Sequence, residues 1–199
     1  MENLKITQKY IPVKTLRRSG IPNEGIKFIV AHDTGNDKST ALNNVNYYIN
    51  SANEMEASAH AFVDDTGVIE CIPQTEKAWH VRKNMPLDNQ LFGGDANNIA
   101  LGIELCYFSN DIARSKKAYE NYVAYIKGLC AIYKIDPTKN IVGHYILDPE
   151  RRTDPLNAFK YIGKTWVDFI KDLTPVAETP EPEYKQKIRK IISELNSLL

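Results

Sequence analysis

Two side chains able to bind a metal ion, His144 and Asp154, are separated by only a short loop in the second half of the chain. His144 follows an apolar run that begins at Ile141, and a loop with two prolines returns Arg152 and Asp154 towards it. Imidazole and carboxylate groups are good zinc ligands, but two ligands do not hold a catalytic zinc ion. Arg152 and Asp154 are two residues apart and point the same way in an extended segment; alternatively, they form a surface ion pair.

The other histidines of the chain are His32, His60 and His80. A single histidine at the end of a strand is more often structural than a metal ligand, and this interpretation applies to each of them alone. The ligand interpretation is stronger for His32 and His144 together, because each ends an apolar strand and begins a polar loop. Active-site residues of α/β sheets are often found at such positions.

Glu104 interrupts an otherwise apolar strand at 99–106. By strand alternation its face also carries Ala100, Gly102 and Cys106, which are all small. A carboxylate buried without a partner is costly, so two interpretations stand. Glu104 forms a buried ion pair with a lysine or arginine, or it faces a space that takes a metal, a water or a substrate. The small neighbours favour the second.

Hydrophobic patterning predicts the elements that position these residues. Apolar runs rich in branched and aromatic residues predict strands at 26–32, 58–63, 68–72, 99–106 and 140–143, the second and third joined as a hairpin. Apolar stripes at helical spacing predict helices at 40–52, 115–134 and 158–173, and a polar loop covers 74–97. The imperfect alternation predicts an α/β fold, a single domain at 1–173 with a central mixed β-sheet flanked by helices.

The end of the chain has a different composition. Residues 174–183 are rich in proline and glutamate and predict a linker. Residues 184–199 place Ile188, Ile191 and Leu195 on one face of an amphipathic helix. A short isolated helix is only marginally stable in water, so we expect this segment to serve in association or targeting, with a homo-oligomer formed through it.

Composition excludes several classes of protein. The 199 residues carry 25 basic and 25 acidic side chains, so the overall basic excess of a nucleic-acid-binding protein is lacking. No run approaches the length of a membrane span. The first six residues lack the basic and apolar pattern of a signal peptide, so we expect synthesis in the cytoplasm. Three widely spaced cysteines predict buried free thiols rather than disulfides.

Six short segments, in this order, resemble the zinc-dependent N-acetylmuramoyl-L-alanine amidases of the type 2 class. This family includes phage endolysins and cytoplasmic muropeptide-recycling amidases, and it is related to animal peptidoglycan recognition proteins. The similarity covers roughly residues 25–172. The segments that carry it are 30–35, 59–64, 78–80, 102–105, 143–144 and 151–155.

The resemblance implies a zinc-containing groove in which His32, His144 and Asp154 bind one zinc ion per chain. It implies peptidoglycan or a muropeptide as substrate, cut at the amide between the lactyl group of N-acetylmuramic acid and L-alanine. Glu104 then serves as general base and Arg152 stabilises the oxyanion.

The resemblance further implies that His60, Trp79 and His80 line the groove and bind substrate. The sequence departs from the family pattern at three positions. Arg152 replaces a lysine found in many relatives, so it acts only through its charge, because guanidinium does not deprotonate in proteins. Ala59 replaces a tyrosine of some phage relatives. Leu156 replaces a frequent glycine.

Other functions remain open from the sequence. A non-catalytic recognition module of the same fold is one, although the retained ligands and Glu104 argue against it. An interaction protein that docks a partner through its terminal helix is another. Within the enzymes, an endolysin acts on the cell wall after release, whereas a recycling amidase stays in the cytoplasm; the appended tail favours the endolysin.

Overall fold

A computed structural model of the protein describes residues 4–174. The predicted helix at 184–199 lies outside the described residues, as does all of the predicted linker except Thr174. In the described part of the chain, no helix combines the length and the apolar character needed to cross a membrane. Cys71, Cys106 and Cys130 are free and buried, as predicted.

Six strands form one sheet. They are β1 (Ile6–Gln8), β2 (Phe28–Asp33), β3 (Ala61–Asp64), β4 (Gly67–Glu70), β5 (Ala100–Leu105) and β6 (Ile141–Gly143). Their order is β1-β4-β3-β5-β2-β6. The β3–β4 hairpin is antiparallel, and all other neighbouring pairs are parallel. The predicted mixed sheet is therefore confirmed.

Seven helices are described in residues 4–174. They are α1 (Ala41–Asn50), α2 (Pro86–Phe92), α3 (Ala96–Ile99), α4 (Ile112–Tyr133), α5 (His144–Leu147), α6 (Leu156–Tyr161) and α7 (Trp166–Leu173). Side chains cap the start of the two longest. Thr40 accepts a hydrogen bond from the backbone of Asn43 at α1, and Asp111 accepts one from Arg114 at α4.

One face of the central strands packs in the apolar core, and the other carries the candidate site. On β2 and β5, the side chains of Ile29, Ala31, Leu101 and Ile103 pack against α4, α6 and α7 in the largest apolar cluster. The alternate residues of the same strands point to the opposite face, as the two-residue period of a strand requires. That opposite face carries the candidate site.

Three predicted segments, two loops and one helix, differ from the structure. The loop predicted at 74–97 contains α2, and the loop after β6 begins with α5. The single helix predicted at 158–173 is two helices, α6 and α7. Gly163 adopts a left-handed conformation with φ of 68° between them, and α7 restarts with a capping box of Thr165 and Asp168.

Candidate active site

Three neighbouring parallel strands bring the predicted residues together at their carboxyl ends. In the β2–β5 pairing His32 lies opposite Glu104, and in the β2–β6 pairing Ala31 lies opposite Gly143, directly before His144. Parallel strands all end at the same edge of a sheet, so residues distant in sequence meet there.

His32, His144 and Asp154 form a compact buried cluster. Each offers one ligand atom, and these atoms lie within 4.8 Å of one another. The Oδ2 atom of Asp154 is 2.9 Å from His32 Nδ1 and 3.1 Å from His144 Nδ1. Because both imidazoles turn the same nitrogen towards one carboxylate oxygen, the three groups converge on a single point.

The protonation states within the cluster suit a metal. Burial lowers the pKa of His32 to about 4, although the hydrogen bond to Asp154 opposes the change. Burial opposes ionisation of Asp154, but the hydrogen bonds from His144 and His32 outweigh it and hold the pKa of that carboxyl well below its usual range. His32 is therefore neutral at pH 7 and Asp154 is charged, which are the forms that bind metal.

These residues fit a zinc ion. Ligand atoms about 2.0 Å from a tetrahedral zinc lie roughly 3.3 Å apart, close to the two separations from Asp154 Oδ2. Three protein ligands are also the number that a catalytic zinc site uses, because the fourth position stays open.

Glu104 has the unpartnered carboxylate that the sequence suggested. Its Oε2 atom is buried without a hydrogen-bond partner, and no ion pair to Glu104 is found among residues 4–174. Burial raises the pKa of Glu104 well above its usual range, with Asp154 and Asp33 adding to the shift and Arg152 opposing it. The ion-pair interpretation therefore does not describe this residue.

A polar cavity of about 280 Å³ opens over the cluster, and all but one of the predicted site residues line it. The residues shared by the prediction and the cavity wall are His32, Trp79, His80, Glu104, His144, Arg152 and Asp154. Within the described chain, the guanidinium of Arg152 forms no hydrogen bond or ion pair, so its charge is available to a ligand. Lys83 stacks over the Trp79 ring, with Nζ 4.7 Å from the ring centroid.

His80 fills part of the space that was predicted over the small residues on the Glu104 face of β5. A Cβ atom added at Gly102 would collide with the imidazole ring of His80. The Nδ1 atom of His80 lies 3.1 Å from Nε2 of His32, so one of the two nitrogens donates to the other. His80 therefore orients a metal-ligand candidate as well as lining the cavity, a contact that a second shell typically makes.

The geometry does not support the predicted substrate-binding role of His60. Its side chain is buried, and His60 is not among the residues that line the cavity. The Nδ1 atom accepts a hydrogen bond from the backbone of Gly102, and Nε2 donates to the carbonyl of Glu76, each at 3.0 Å. Because both ring nitrogens form hydrogen bonds within the protein, His60 has no free nitrogen for a substrate and instead stabilises β5.

Two further residues of the site were missed in the sequence. Tyr48 of α1 lines the cavity, although an aromatic residue on the apolar face of a helix is more often part of the core. Asp33 accepts hydrogen bonds from the backbone of Gly35 and of Ala158, and so ties the start of α6 to the end of β2. No spacing signal could have paired residues 33 and 158, because the contact depends on the folded loop.

Comparison with known proteins gives one family and several relatives. The family described as Amidase_2, N-acetylmuramoyl-L-alanine amidase, matches residues 22–157. Among curated proteins, the N-acetylmuramoyl-L-alanine amidase BlyA of Bacillus subtilis (strain 168) is 31% identical over 147 residues, which is 70% of this chain and 39% of BlyA. The chain spans about two fifths of the length of BlyA and of two further curated amidases that it matches.

Solved structures show the same fold. The structure of PlyL is 27% identical with a TM-score of 0.68, covering 86% of this chain and 98% of that one. A mutant endolysin from Bacillus subtilis is 26% identical with a TM-score of 0.67, covering 86% and 99%.

Proposed function

The chain belongs to the N-acetylmuramoyl-L-alanine amidase family, and we propose that it hydrolyses the amide between the lactyl group of N-acetylmuramic acid and L-alanine in peptidoglycan. One observation carries the proposal. The metal-ligand candidates His32, His144 and Asp154 share a single cavity with the unpartnered carboxylate of Glu104. Cavities with convergent polar groups and shifted pKa values are typical of active sites.

We propose zinc as the cofactor, held by His32, His144 and Asp154. A zinc ion supplies Lewis acidity, which polarises a carbonyl group and makes a water molecule easier to deprotonate. The hydrogen-bonded pair of His80 and His32 keeps the second imidazole nitrogen occupied, so that Nδ1 of His32 stays directed at the ligand cluster.

Glu104 carries the proton in this proposal. The water oxygen attacks the carbonyl carbon while the carboxylate of Glu104 takes a proton from that water. When the carbon–nitrogen bond breaks, Glu104 returns the proton to the leaving amine of L-alanine. Burial raises the pKa of Glu104 above that of an ordinary glutamate, which makes its carboxylate a stronger base for the first step.

Arg152 supplies positive charge where negative charge develops on the carbonyl oxygen. Its guanidinium is exposed in the cavity wall and unpaired in the described chain. Since it cannot release a proton, it acts through electrostatics alone. Trp79 and His80 form the adjoining wall, where we propose that they contact the substrate.

We propose the endolysin or autolysin type of action, on polymeric cell wall after release from the cell. The support is the likeness to the structure of a mutant endolysin from Bacillus subtilis. Comparing hydrolysis of intact sacculi with hydrolysis of soluble muropeptides tests this. A clear preference for sacculi supports an endolysin, and a clear preference for soluble muropeptides indicates a recycling amidase instead.

The reaction itself is tested with purified peptidoglycan. We expect mass spectrometry to detect released stem peptides with a free L-alanine amine, and a chelator to stop the release until zinc is added back. Tight binding to the wall with no release under any of these conditions would contradict the proposal and identify a non-catalytic recognition module.

A further inference from the structure

A second chamber of about 250 Å³ adjoins the catalytic cavity. The walls of both spaces include Thr34, Tyr48, Ala57 and Glu104, so the chamber begins where the catalytic cavity ends. Arg17, which comes from the segment before β2, lines the chamber and not the catalytic cavity.

Arg17 is held rigidly in the chamber wall. Its side chain is only 1% exposed. The Nε atom donates to the carbonyl and the hydroxyl of Ser51, at 3.0 and 3.1 Å, and Nη1 donates to the carbonyl of Ala57. The rings of Tyr47 and Tyr48 flank the guanidinium, with centroids 5.2 and 4.3 Å from Cζ. The guanidinium is therefore fixed before any ligand arrives.

The charge of Arg17 is uncompensated in residues 4–174. Its Nη2 atom is buried with no hydrogen-bond partner, and no carboxylate pairs with the guanidinium. The neighbouring Arg18 shows the contrast, because it forms a two-pronged ion pair with Glu76 at 2.8 and 2.7 Å. Buried charges are normally paired, so a fixed guanidinium with a free donor beside a cavity is suited to an anionic ligand.

The geometry points to a carboxylate subsite, in which Arg17 binds the α-carboxylate of the second residue of the stem peptide. This inference rests on the proposed function. A chamber of this volume is about 6 Å across, so a group that enters from Glu104 reaches its far wall after roughly two extended residues. In peptidoglycan the second stem residue is a γ-linked glutamate, whose α-carboxylate is either free or amidated.

The free and the amidated forms give a direct test. Two synthetic N-acetylmuramoyl tripeptides would be compared with the full chain, one with the free α-carboxylate and one with the carboxamide at the second residue. We expect kcat/KM to be at least about tenfold higher for the acid, since a charge-assisted hydrogen bond from a guanidinium is lost in the amide. Calorimetry with the two released peptides measures the same preference without cleavage.

Variants locate the preference. We expect Arg17→Gln to bring the acid-to-amide ratio within about twofold, and Arg17→Lys to retain part of it. Arg18→Gln is the matched control, because Arg18 lines neither cavity, and it should keep the wild-type ratio. Urea denaturation shows which variants are folded, and the wild-type comparison stands alone if Arg17 variants do not fold.

The outcomes separate this inference from the proposed reaction. Hydrolysis of neither tripeptide would contradict the reaction, and the calorimetric preference would then decide the subsite. Equal hydrolysis and equal binding of acid and amide by the wild-type protein would overturn the carboxylate subsite while leaving the amidase activity intact. A ratio unchanged in folded Arg17→Gln would overturn it as well.

Discussion

Burial governs what Glu104 can do in this protein. Its strand lies in the centre of the sheet, one of its oxygens has no partner, and its pKa is raised well above the usual range. Burial acts on His32 in the opposite sense, since it disfavours imidazolium, lowers the pKa and keeps this side chain neutral. One physical cause, burial, thus makes Glu104 a stronger proton acceptor and keeps His32 neutral.

The charge of Arg152 can be tested by substitution. We expect Arg152→Gln to lower kcat about a hundredfold, since removing one oxyanion-stabilising group typically costs about 10²–10³. Arg152→Lys should recover most of the activity because it restores the positive charge. Steady-state kinetics on peptidoglycan fragments measures both. Equal activity of Arg152→Gln and wild type would show that the exposed guanidinium plays no part.

His60 gives a prediction for stability against pH. Burial lowers its pKa from 6.5 to about 4 in the folded protein. The unfolded chain therefore binds the proton more readily, and the stability gained from neutral His60 is full above about pH 6.5 and is lost as the pH falls towards 4.

The variant His60→Gln isolates this contribution. We expect the free energy of unfolding of wild type minus that of the variant to shrink by about 2 kcal/mol between roughly pH 7.5 and pH 5. Urea denaturation of metal-free protein at several pH values measures it, and metal removal keeps ligand protonation out of the comparison. A difference that is constant across this range would contradict the assigned buried neutral state.

Among the site residues, the role of Glu104 was predictable from the sequence and the orientation of His60 was not. Glu104 was recognisable because a carboxylate inside an apolar strand has few structural explanations. The family pattern placed both His60 and His80 in the groove. In the structure, both ring nitrogens of His60 instead form hydrogen bonds with the backbone of Gly102 and Glu76. The direction in which a buried side chain points depends on tertiary contacts that no local pattern contains.

Among the elements, the central strands were predictable and the loops were not. Strands β2 and β5 read as near-continuous apolar runs because helices or loops cover both of their faces. The segment before β2 shows no clear hydrophobic period in the sequence, although it places Arg17 in the wall of the second chamber. Its position is fixed by the hydrogen bond from the backbone of Arg17 to Ala52, which lies far from it in the sequence.

Two glycines test how closely the elements pack. Gly102→Ala places a methyl group against the His80 ring, and we expect it to lower the free energy of unfolding by about 1–3 kcal/mol, as overpacking usually does. Gly128→Ala in α4 meets nothing within 4 Å and should instead raise stability by about 0.5–1 kcal/mol. Denaturation midpoints compare the pair. Matching effects would mean that His80 does not pack over β5.

At the scale of the whole molecule, the catalytic cavity and the second chamber are both lined by residues of the described part of the chain, 4–174. We expect the amphipathic helix predicted at 184–199 to serve association rather than the reaction. Its apolar positions, Ile188, Ile191 and Leu195 among them, favour contact with another copy of the chain.

Sedimentation tests this role of the tail. We propose that the full chain self-associates and that a 1–173 truncation is monomeric, because the truncation removes the apolar face. Amidase activity per active site on soluble fragments should be nearly equal in the two. Monomers in both samples would contradict self-association and direct attention to a different partner.

The most direct test of the account combines metal content and turnover in the variant Glu104→Gln. Gln keeps the size of the side chain but cannot accept the proton, and Glu104 is not among the ligand candidates. We predict that the variant purifies with as much zinc as wild type and releases stem peptides from peptidoglycan at least about 10²-fold more slowly. Release at the wild-type rate by the zinc-loaded variant would contradict the account.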